Sequence, residues 1–185
     1  ELATTPDAAA DAAARLGFPV VLKGLGHAHK TEAGAVALNL TSAEAVADAA
    51  ARMGGSEFLI EEMVSGAVAE ILVGVIRDPA HGFVLTLGAG GVLTEIMADT
   101  TSRLLPATAQ DIADALDRLR IAPLLAGYRG KPPAHHAALV AAILAVQDCA
   151  IAHMGGLVEL EINPLIATPD RAVAVDALIR LGERP

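Results

Sequence analysis

The most constraining feature of the sequence is a pair of alternating segments within its last thirty residues. Leu157–Pro164 and Ala172–Asp176 both alternate apolar and polar side chains with a period of two, which is typical of half-buried β-strands. The residues between them include Thr168–Arg171, which predicts a turn with proline at its second position. An antiparallel hairpin closed by this turn places Asn163 opposite Asp176.

The predicted hairpin gathers oxygen-bearing side chains on one face. Glu161 and Glu159 precede Asn163 by two and four residues, so the three side chains share a face of the strand. Carboxylate and amide oxygens suit Mg²⁺, which takes one or two protein ligands and fills its other positions with water and phosphate. A solvated sheet face with ordinary turn residues is the alternative that the hairpin alone leaves open.

Composition narrows the class of protein. The 185 residues are 54% hydrophobic and 19% charged, which is the balance of a globular chain. Aromatic residues make up 2% and the net charge is -9, so neither base stacking nor a basic face supports binding to nucleic acid. No apolar run approaches the ~20 residues of a membrane span. We therefore expect no nucleic-acid or membrane partner and a cytoplasmic location.

The single cysteine and the first residue of the sequence lead to two further expectations, one on disulfides and one on the length of the polypeptide. Cys149 is the one cysteine of the sequence, so no disulfide forms within the chain, and we expect a buried, inert thiol. The sequence begins with Glu1 and shows no signal peptide at its start. We expect it to be a piece of a longer polypeptide.

Helix and strand patterns are mixed without strict alternation. Helices are predicted from Thr5 to Gly17, from a capping box at Thr41–Glu44 to Gly54, and over residues 108–120 and 135–153, the last buried on most faces. Strands are predicted over residues 19–23, 35–40, 58–61, 68–77, 83–87 and 101–105, ahead of the hairpin. This order favours an α+β fold over a doubly wound sheet.

Two lysines indicate an anion site in the first part of the chain. Lys23 ends an apolar strand, where a charge is costly unless it reaches water or finds an anion. Lys30 lies in a glycine-rich loop, residues 24–34, and glycines let backbone N–H groups approach an anion closely. The P-loop motif is absent, and Gly88–Gly91 does not continue as GxGxxG. A solvent-exposed lysine at the sheet edge and an ordinary surface loop are the alternatives.

Several further residues have two interpretations. The cation beside His29 favours its neutral form, which suits a phosphoryl acceptor, although a loop histidine is usually only solvated. Glu61–Val64 ends a strand whose backbone groups can pair with an adenine edge, and Glu70 can bind the hydroxyls of a ribose; surface glutamates are the plainer interpretation. Gly90 and Gly91 precede acidic residues, which leaves both phosphate contact and a helix start open.

Together these motifs resemble the ATP-grasp domain of NDP-forming acyl-CoA synthetases, the family of ADP-forming acetate–CoA ligase. The β subunit of succinyl-CoA synthetase is a more distant relative. The resemblance covers nearly the whole chain and is carried, in order, by Val20–Lys23, His29–Gly34, Val73–Pro79, Gly88–Gly91, Leu124–Pro133, Glu159–Leu165 and Ala172–Asp176.

The resemblance implies a two-lobed ATP-grasp fold of the α+β class with a nucleotide cleft between the lobes. Residues 1–60 would form the small subdomain, truncated at its N-terminus, and residues 61–185 the large subdomain with the metal-binding hairpin. ATP or ADP and Mg²⁺ would be the cofactors. The implied nucleotide-binding residues are Lys23, Lys30, Glu61, Glu62, Met63, Val64, Glu70, Gly90 and Gly91.

The resemblance also gives these residues separate roles. Lys23 and Lys30 would hold the phosphates, with the Lys30 loop as a flexible cover. Glu62–Val64 would form the adenine hinge, where Glu61 can substitute for Glu62, and Glu70 would bind the ribose.

A metal site and a reaction follow from the same resemblance. Asn163 and Asp176 would bind magnesium, and Glu161 would face the reacting phosphoryl group. That group travels on a histidine of a partner domain or subunit, and in some members the histidine before the loop lysine, here His29 before Lys30, also carries phosphate. The full enzyme would interconvert acid, CoA and NTP with acyl-CoA, NDP and phosphate. It would work as an oligomer and bind CoA through CoA-binding and CoA-ligase domains that this chain lacks.

The chain departs from the family pattern at one position, and two rival functions are compatible with parts of the sequence. Many relatives have two glycines where this chain has Gly34 and Ala35, and Ala35 adds only a methyl group, so the expected role of the loop is kept. One rival is a carboxylate–amine ligase that uses an acyl phosphate, which the His29–Lys30 motif disfavours. The other is a non-catalytic regulatory module of a protein acetyltransferase. Retention of Lys23, Glu70, Asn163 and Asp176 disfavours that second rival.

Overall fold

The computed structural model describes residues 1–25, 35–91 and 98–182. The chain divides into two compact units, Glu1–Val64 and Ser65–Pro185. The predicted boundary after residue 60 falls inside a strand of the first unit, Phe58–Glu62. His29 and Lys30 lie outside the described residues.

The first unit is a four-stranded antiparallel sheet with two helices. Its strands lie in the order β1-β4-β2-β3. The elements in chain order are β1 (Leu2–Ala3), α1 (Pro6–Leu16), β2 (Val20–Gly24), β3 (Val36–Leu40), α2 (Ala43–Met53) and β4 (Phe58–Glu62). Buried alanines of both helices pack on Leu22, Phe58 and Ile60, so the core is aliphatic apart from one phenylalanine.

Side-chain caps explain where the two helices begin. The Thr5 hydroxyl accepts a hydrogen bond from Ala8 N at 3.2 Å ahead of Pro6, as predicted. The capping box predicted at Thr41–Glu44 is wrong. The cap is Ser42, whose hydroxyl accepts from Ala45 N at 3.2 Å. Glu44 is then the second helical residue rather than the third, which is the position that a capping box requires.

The second unit is a six-stranded antiparallel sheet with helices on one face. Its strands lie in the order β10-β8-β5-β6-β7, and β9 also pairs with β8. The elements are β5 (Ala69–Asp78), β6 (Gly82–Ala89), β7 (Thr100–Leu104), α3 (Ala109–Asp117), α4 (Ala122–Leu125), α5 (His136–Ala152), β8 (Leu157–Ala167), β9 (Ala172–Ala174) and β10 (Ala177–Leu181). The prediction of an α+β fold is confirmed.

The larger sheet has two chemically different faces because alternate residues of each strand point to opposite sides. Ile71 and Val73 of β5 pack with Ile112 of α3 and Ile143 of α5 in the main core. The residues between the core positions form a second face, which we call the polar face. It is defined by Glu70, Thr86, Glu159, Glu161 and Asn163.

The long helix α5 is less buried than predicted. Ala137, Ala141, Ala145 and Asp148 form an exposed stripe along it, because alanine is apolar enough to suggest burial yet small enough to be tolerated in water. None of the helices within the described ranges is long and apolar enough to cross a membrane.

Cys149 is half-buried rather than buried as predicted. Its Sγ lies 3.9 Å from His153 Nδ1. That ring nitrogen is also 2.8 Å from Cys149 O, so a hydrogen bond to the backbone accounts for the position of the imidazole.

Candidate functional site

The C-terminal hairpin has the predicted register. Leu165 lies opposite Ala174, and the same register places Asn163 opposite Asp176, whose carbonyl accepts from Asn163 N at 3.3 Å. The turn is closed by Thr168 N, which donates to Arg171 O at 2.9 Å. The hairpin prediction is therefore confirmed, although β10 prolongs the ribbon beyond the predicted end.

A bulge sets the position of Asn163 on β8. Ile162 lies opposite Val73 and Leu165 lies opposite Ile71, so Asn163 and Pro164 together face the one residue between them on β5. A bulge bends its strand and redirects the side chains at that point, and such bulges are common next to functional sites. The sequence contained no signal for this irregularity beyond the proline itself.

Four predicted site residues meet where β5, β6 and β8 lie side by side. Asn163 Oδ1 accepts a hydrogen bond from Gly91 N at 2.9 Å. Gly90 N donates to Glu70 O at 2.8 Å. A Cβ added to Gly91 would overlap the Glu70 carboxylate. The structure thus brings Glu70, Gly90, Gly91 and Asn163 into one cluster.

Glu161 lies beside this cluster on the polar face. Its neighbours on the adjacent strands are Gly74 and Leu178, and Gly74 has no side chain to cover it. Glu161 makes no side-chain hydrogen bond or ion pair with any residue that the structure describes. Glu159, two residues earlier, pairs with Arg180 at 3.0 Å. Of these two glutamates, Glu161 is therefore the one available to a ligand.

The sequence analysis did not identify Thr86 and Ser102, which lie in line with Glu161 and Gly74 across the polar face. Gly74 lies opposite Thr86, and Thr86 lies opposite Ser102. The Thr86 and Ser102 hydroxyls are 3.1 Å apart. A glycine within a strand can indicate a close approach by a ligand or by backbone, and that was the one available signal.

In the first unit, Lys23 is buried and paired. The residue is 8% exposed, and its Nζ lies 2.5 Å from Glu61 Oε2. Leu22 lies opposite Ile60 in the core, so Lys23 and Glu61 share the other face of that sheet. The alternative of a solvent-exposed lysine is wrong, because Lys23 is buried and pairs its charge with the partly exposed carboxylate of Glu61.

The predicted adenine hinge follows the end of β4. Met63 N donates to Pro19 O at 3.1 Å, so this amide is used by the sheet. Glu62 is exposed and Val64 is buried. Consecutive residues of a strand direct their backbone groups to opposite edges, so the backbone groups of Glu62, the last residue of β4, face the edge away from β2.

Asp99 has a structural role that the sequence did not indicate. It is buried, and its two carboxylate oxygens accept from Arg120 N at 2.9 Å and from Ile121 N at 3.1 Å. Its carbonyl accepts from Ala89 N at 3.0 Å. Asp99 thus ties the turn before α4 to the end of β6, close to the cluster around Gly91.

The residues of the hairpin fit a magnesium ion. Among the residues that the structure describes, no three His, Cys, Asp or Glu side chains gather as a metal cage, but magnesium needs only one or two protein oxygens. An amide oxygen has two lone pairs, so Asn163 Oδ1 can accept from Gly91 N and still bind a cation. The Asp176 carboxylate across the ribbon is the second oxygen group that could bind the cation, and its Oδ1 also accepts a hydrogen bond from Ala177 N at 3.0 Å.

Nearly the whole chain matches one known family. A family model described as an ATP-grasp domain matches residues 1–181. The chain belongs to the ATP-grasp family.

Curated relatives of this ATP-grasp domain are named for acyl–CoA ligation. The β subunit of ADP-forming acetate–CoA ligase I from Pyrococcus furiosus is 32% identical over 174 residues, which cover 88% of this chain and 75% of the relative. A trans-feruloyl-CoA synthase from an unknown prokaryotic organism is 36% identical over 194 residues, which cover 97% of this chain and 27% of the relative. The ATP-grasp domain therefore spans most of a separate subunit but about a quarter of a longer synthase.

Solved structures confirm the ATP-grasp fold. Dinucleotide-forming acetyl-coenzyme A synthetase 1 of Candidatus Korarchaeum cryptofilum, in complex with coenzyme A, Ca-AMPCP and HgCl⁺, has a TM-score of 0.89 at 29% identity. The same protein with coenzyme A and Mg-AMPPCP, its phosphohistidine segment pointing towards the nucleotide binding site, has a TM-score of 0.85 at 29% identity. Each match covers 98% of this chain and 84% of the solved chain.

Proposed function

We propose that this ATP-grasp domain binds nucleotide and transfers its phosphoryl group within an NDP-forming acyl-CoA synthetase. The whole enzyme would convert acid, CoA and NTP to acyl-CoA, NDP and phosphate through a phosphohistidine. The observation that carries the proposal is the cluster of Glu70, Gly91 and Asn163, with Asp176 opposite Asn163. The complex of a solved relative with Mg-AMPPCP supports it.

Each proposed role follows from the chemistry of a residue. Asn163 and Asp176 would hold magnesium, which when bound neutralises phosphate charge and orients the phosphoryl group. Lys23 would hold phosphate, since it is a buried cation that lies beside the carboxylate of Glu61. Glu70 would bind the ribose hydroxyls, and Glu161 would face the reacting phosphoryl group.

Other parts of the proposal rest on the resemblance alone. The adenine hinge at Glu61–Val64 and the roles of His29 and Lys30 are of this kind. Acetate and feruloyl ligases are both similar to this domain, so selection of the acid would lie in other domains. Those domains would also bind CoA. Assembly as an oligomer and a cytoplasmic location remain part of the proposal.

The metal ligands provide the direct test. We expect Asn163→Ala and Asp176→Ala each to weaken magnesium-dependent nucleotide affinity at least about tenfold, because even groups that only orient a metal ligand contribute that much. Isothermal titration of the 185-residue chain with ATP, with and without Mg²⁺, measures the effect. Glu159→Gln is the matched control, because Glu159 shares the strand and the face but pairs with Arg180.

Two outcomes would count against the proposal in different ways. Unchanged affinity and unchanged metal dependence in both alanine variants would reject Asn163 and Asp176 as ligands. The absence of binding by the wild-type chain at millimolar Mg-ATP would instead favour the regulatory module.

A further inference from the structure

Gly90 and Gly91 already use their backbone N–H groups within the protein. Gly90 N donates to Glu70 O at 2.8 Å, and Gly91 N donates to Asn163 Oδ1 at 2.9 Å. A loop that cradles phosphate does so with N–H groups that point at the anion. These two N–H groups point at protein oxygens. If the glycines contribute to nucleotide binding, they do so in another way than by donating hydrogen bonds to the phosphates.

Both glycines are required by the close approach of neighbouring atoms. A Cβ on Gly90 would lie 2.7 Å from Ile71 C and 2.8 Å from Leu72 N, and backbone atoms within a sheet cannot move aside as a side chain can. Gly91 has a φ of 74°, a left-handed conformation that favours glycine. The Glu70 carboxylate occupies the volume that a side chain on Gly91 would need.

We propose that Gly91 is a positioning residue that holds the ribose-binding carboxylate and the metal-binding amide together. Because Gly91 N is a donor, the Asn163 atom that faces it is the amide oxygen, and the same contact orients that oxygen for a cation. The missing side chain of Gly91 admits Glu70. Glu70 and Asn163, which lie on different strands, then act as one unit. This inference rests on the proposed function, which supplies the roles of these two residues.

Gly91→Ala and Gly82→Ala form a matched pair of variants. Gly82 begins β6 and Gly91 follows its end, with φ values of 81° and 74°, so alanine carries similar backbone strain at both. A Cβ on Gly82 meets no atom within 4 Å, whereas a Cβ on Gly91 displaces Glu70. Titrations with ADP, with and without Mg²⁺, compare the two variants in the 185-residue chain.

We expect Gly91→Ala to weaken magnesium-dependent ADP affinity about 10- to 100-fold, the usual loss when a group that orients a metal ligand is removed. Gly82→Ala should leave both the affinity and its dependence on magnesium unchanged. Equal binding by the two variants would overturn the inference, even where Asn163→Ala confirms the proposed metal ligand.

A double-mutant cycle tests whether Gly91 and Glu70 act together. Alanine at position 91 already displaces the Glu70 carboxylate, so the effects of Gly91→Ala and Glu70→Ala on ADP affinity should not add. The double variant should lose no more affinity than the weaker-binding single variant. Additive losses would show that the contact with Glu70 plays no part in binding.

Amide hydrogen exchange tests the contact with Asn163 and needs neither nucleotide nor a variant of Gly91. In Asn163→Ala the Gly91 amide loses its acceptor, so its exchange with solvent should become faster. Asp176→Ala is the control and should leave the Gly91 amide unchanged. Unchanged exchange in Asn163→Ala would overturn the inference. Failure of the wild-type chain to bind Mg-ADP would instead reject the proposed function.

Discussion

At the scale of single residues, Lys23 shows how surroundings decide what a charge can do. In the sequence it is a lysine at the end of an apolar strand, equally consistent with a solvated group and with an anion holder. In the structure it is 8% exposed and paired with Glu61 at 2.5 Å. A buried ammonium persists where it has a partner, so the contact with Glu61 is what allows Lys23 to be buried.

Lys23→Met separates a binding role from a structural one. We expect it to weaken Mg-nucleotide affinity about tenfold or more, because one cation of the proposed phosphate site is lost. It should also lower the free energy of unfolding by about 1–2 kcal/mol, less than for a fully buried pair because the Glu61 side chain is 35% exposed. Titration and urea unfolding measure the two effects.

The control for this prediction is Lys131→Met, since Lys131 is an exposed lysine in the loop before α5. Loss of stability in Lys23→Met with unchanged nucleotide affinity would assign Lys23 a purely structural role.

At the scale of elements, local caps determine where several helices begin. The helix predicted over residues 108–120 starts at a capping box: Thr108 N donates to Asp111 Oδ2 at 2.9 Å, and Asp111 N donates to Thr108 Oγ1 at 3.2 Å. The helix ends at Asp117, before the predicted residue, because the turn that follows is held by Asp99. The cap that begins the helix joins residues three positions apart, so the sequence predicts it. The Asp99 carboxylate that holds the following turn is 21 residues from Arg120, so the sequence does not predict where the helix ends.

The capping box of α3 predicts a dependence of stability on pH. The hydroxyl and then the backbone N–H of Thr108 hold the pKa of Asp111 below its ordinary value. The ionised carboxylate therefore stabilises the fold above the ordinary pKa of about 3.9, and this contribution is lost as the pH falls through the lower folded pKa. Thr108→Val should cost about 1 kcal/mol at pH 7 and reduce the loss of stability between pH 4 and pH 2.

Urea unfolding at several pH values checks this prediction. Thr108→Ser retains the hydroxyl and should behave as the wild type. Thr108→Val with the acid dependence of the wild type would contradict the assignment of the pKa shift to the Thr108 hydroxyl.

At the scale of the whole molecule, each compact unit has a core of its own. The core of the first unit is built from residues between Ala3 and Ile60, and the core of the second from residues between Ile71 and Ala167. The first unit has 64 residues and the second 121. A chain of about 60 residues buries a smaller fraction of its surface than one of about 120, so the second unit should be the more stable alone.

Separate expression of residues 65–185 tests this division. We expect the fragment to unfold cooperatively in a thermal melt followed by circular dichroism, whereas residues 1–64 should be marginally stable or unfolded. The larger fragment retains Glu70, Asn163 and Asp176 but lacks Lys23, so its Mg-nucleotide affinity should be at least about tenfold weaker than that of the chain. A gradual, non-cooperative melt of residues 65–185 would contradict the independent core.

The elements and the hairpin register were predictable because they depend on short-range information. Two-residue periodicity, a proline turn and polar caps act over a few residues, and they located the helices, most strands and the pairing of Asn163 with Asp176. The contacts that build the candidate site depend instead on which strands become neighbours. Gly91 and Asn163 are 72 residues apart, and Lys23 meets Glu61 because β2 pairs with β4. Local preferences carry no information on strand order, so the tertiary structure alone decided these contacts, the bulge at Asn163 and the burial of Asp99.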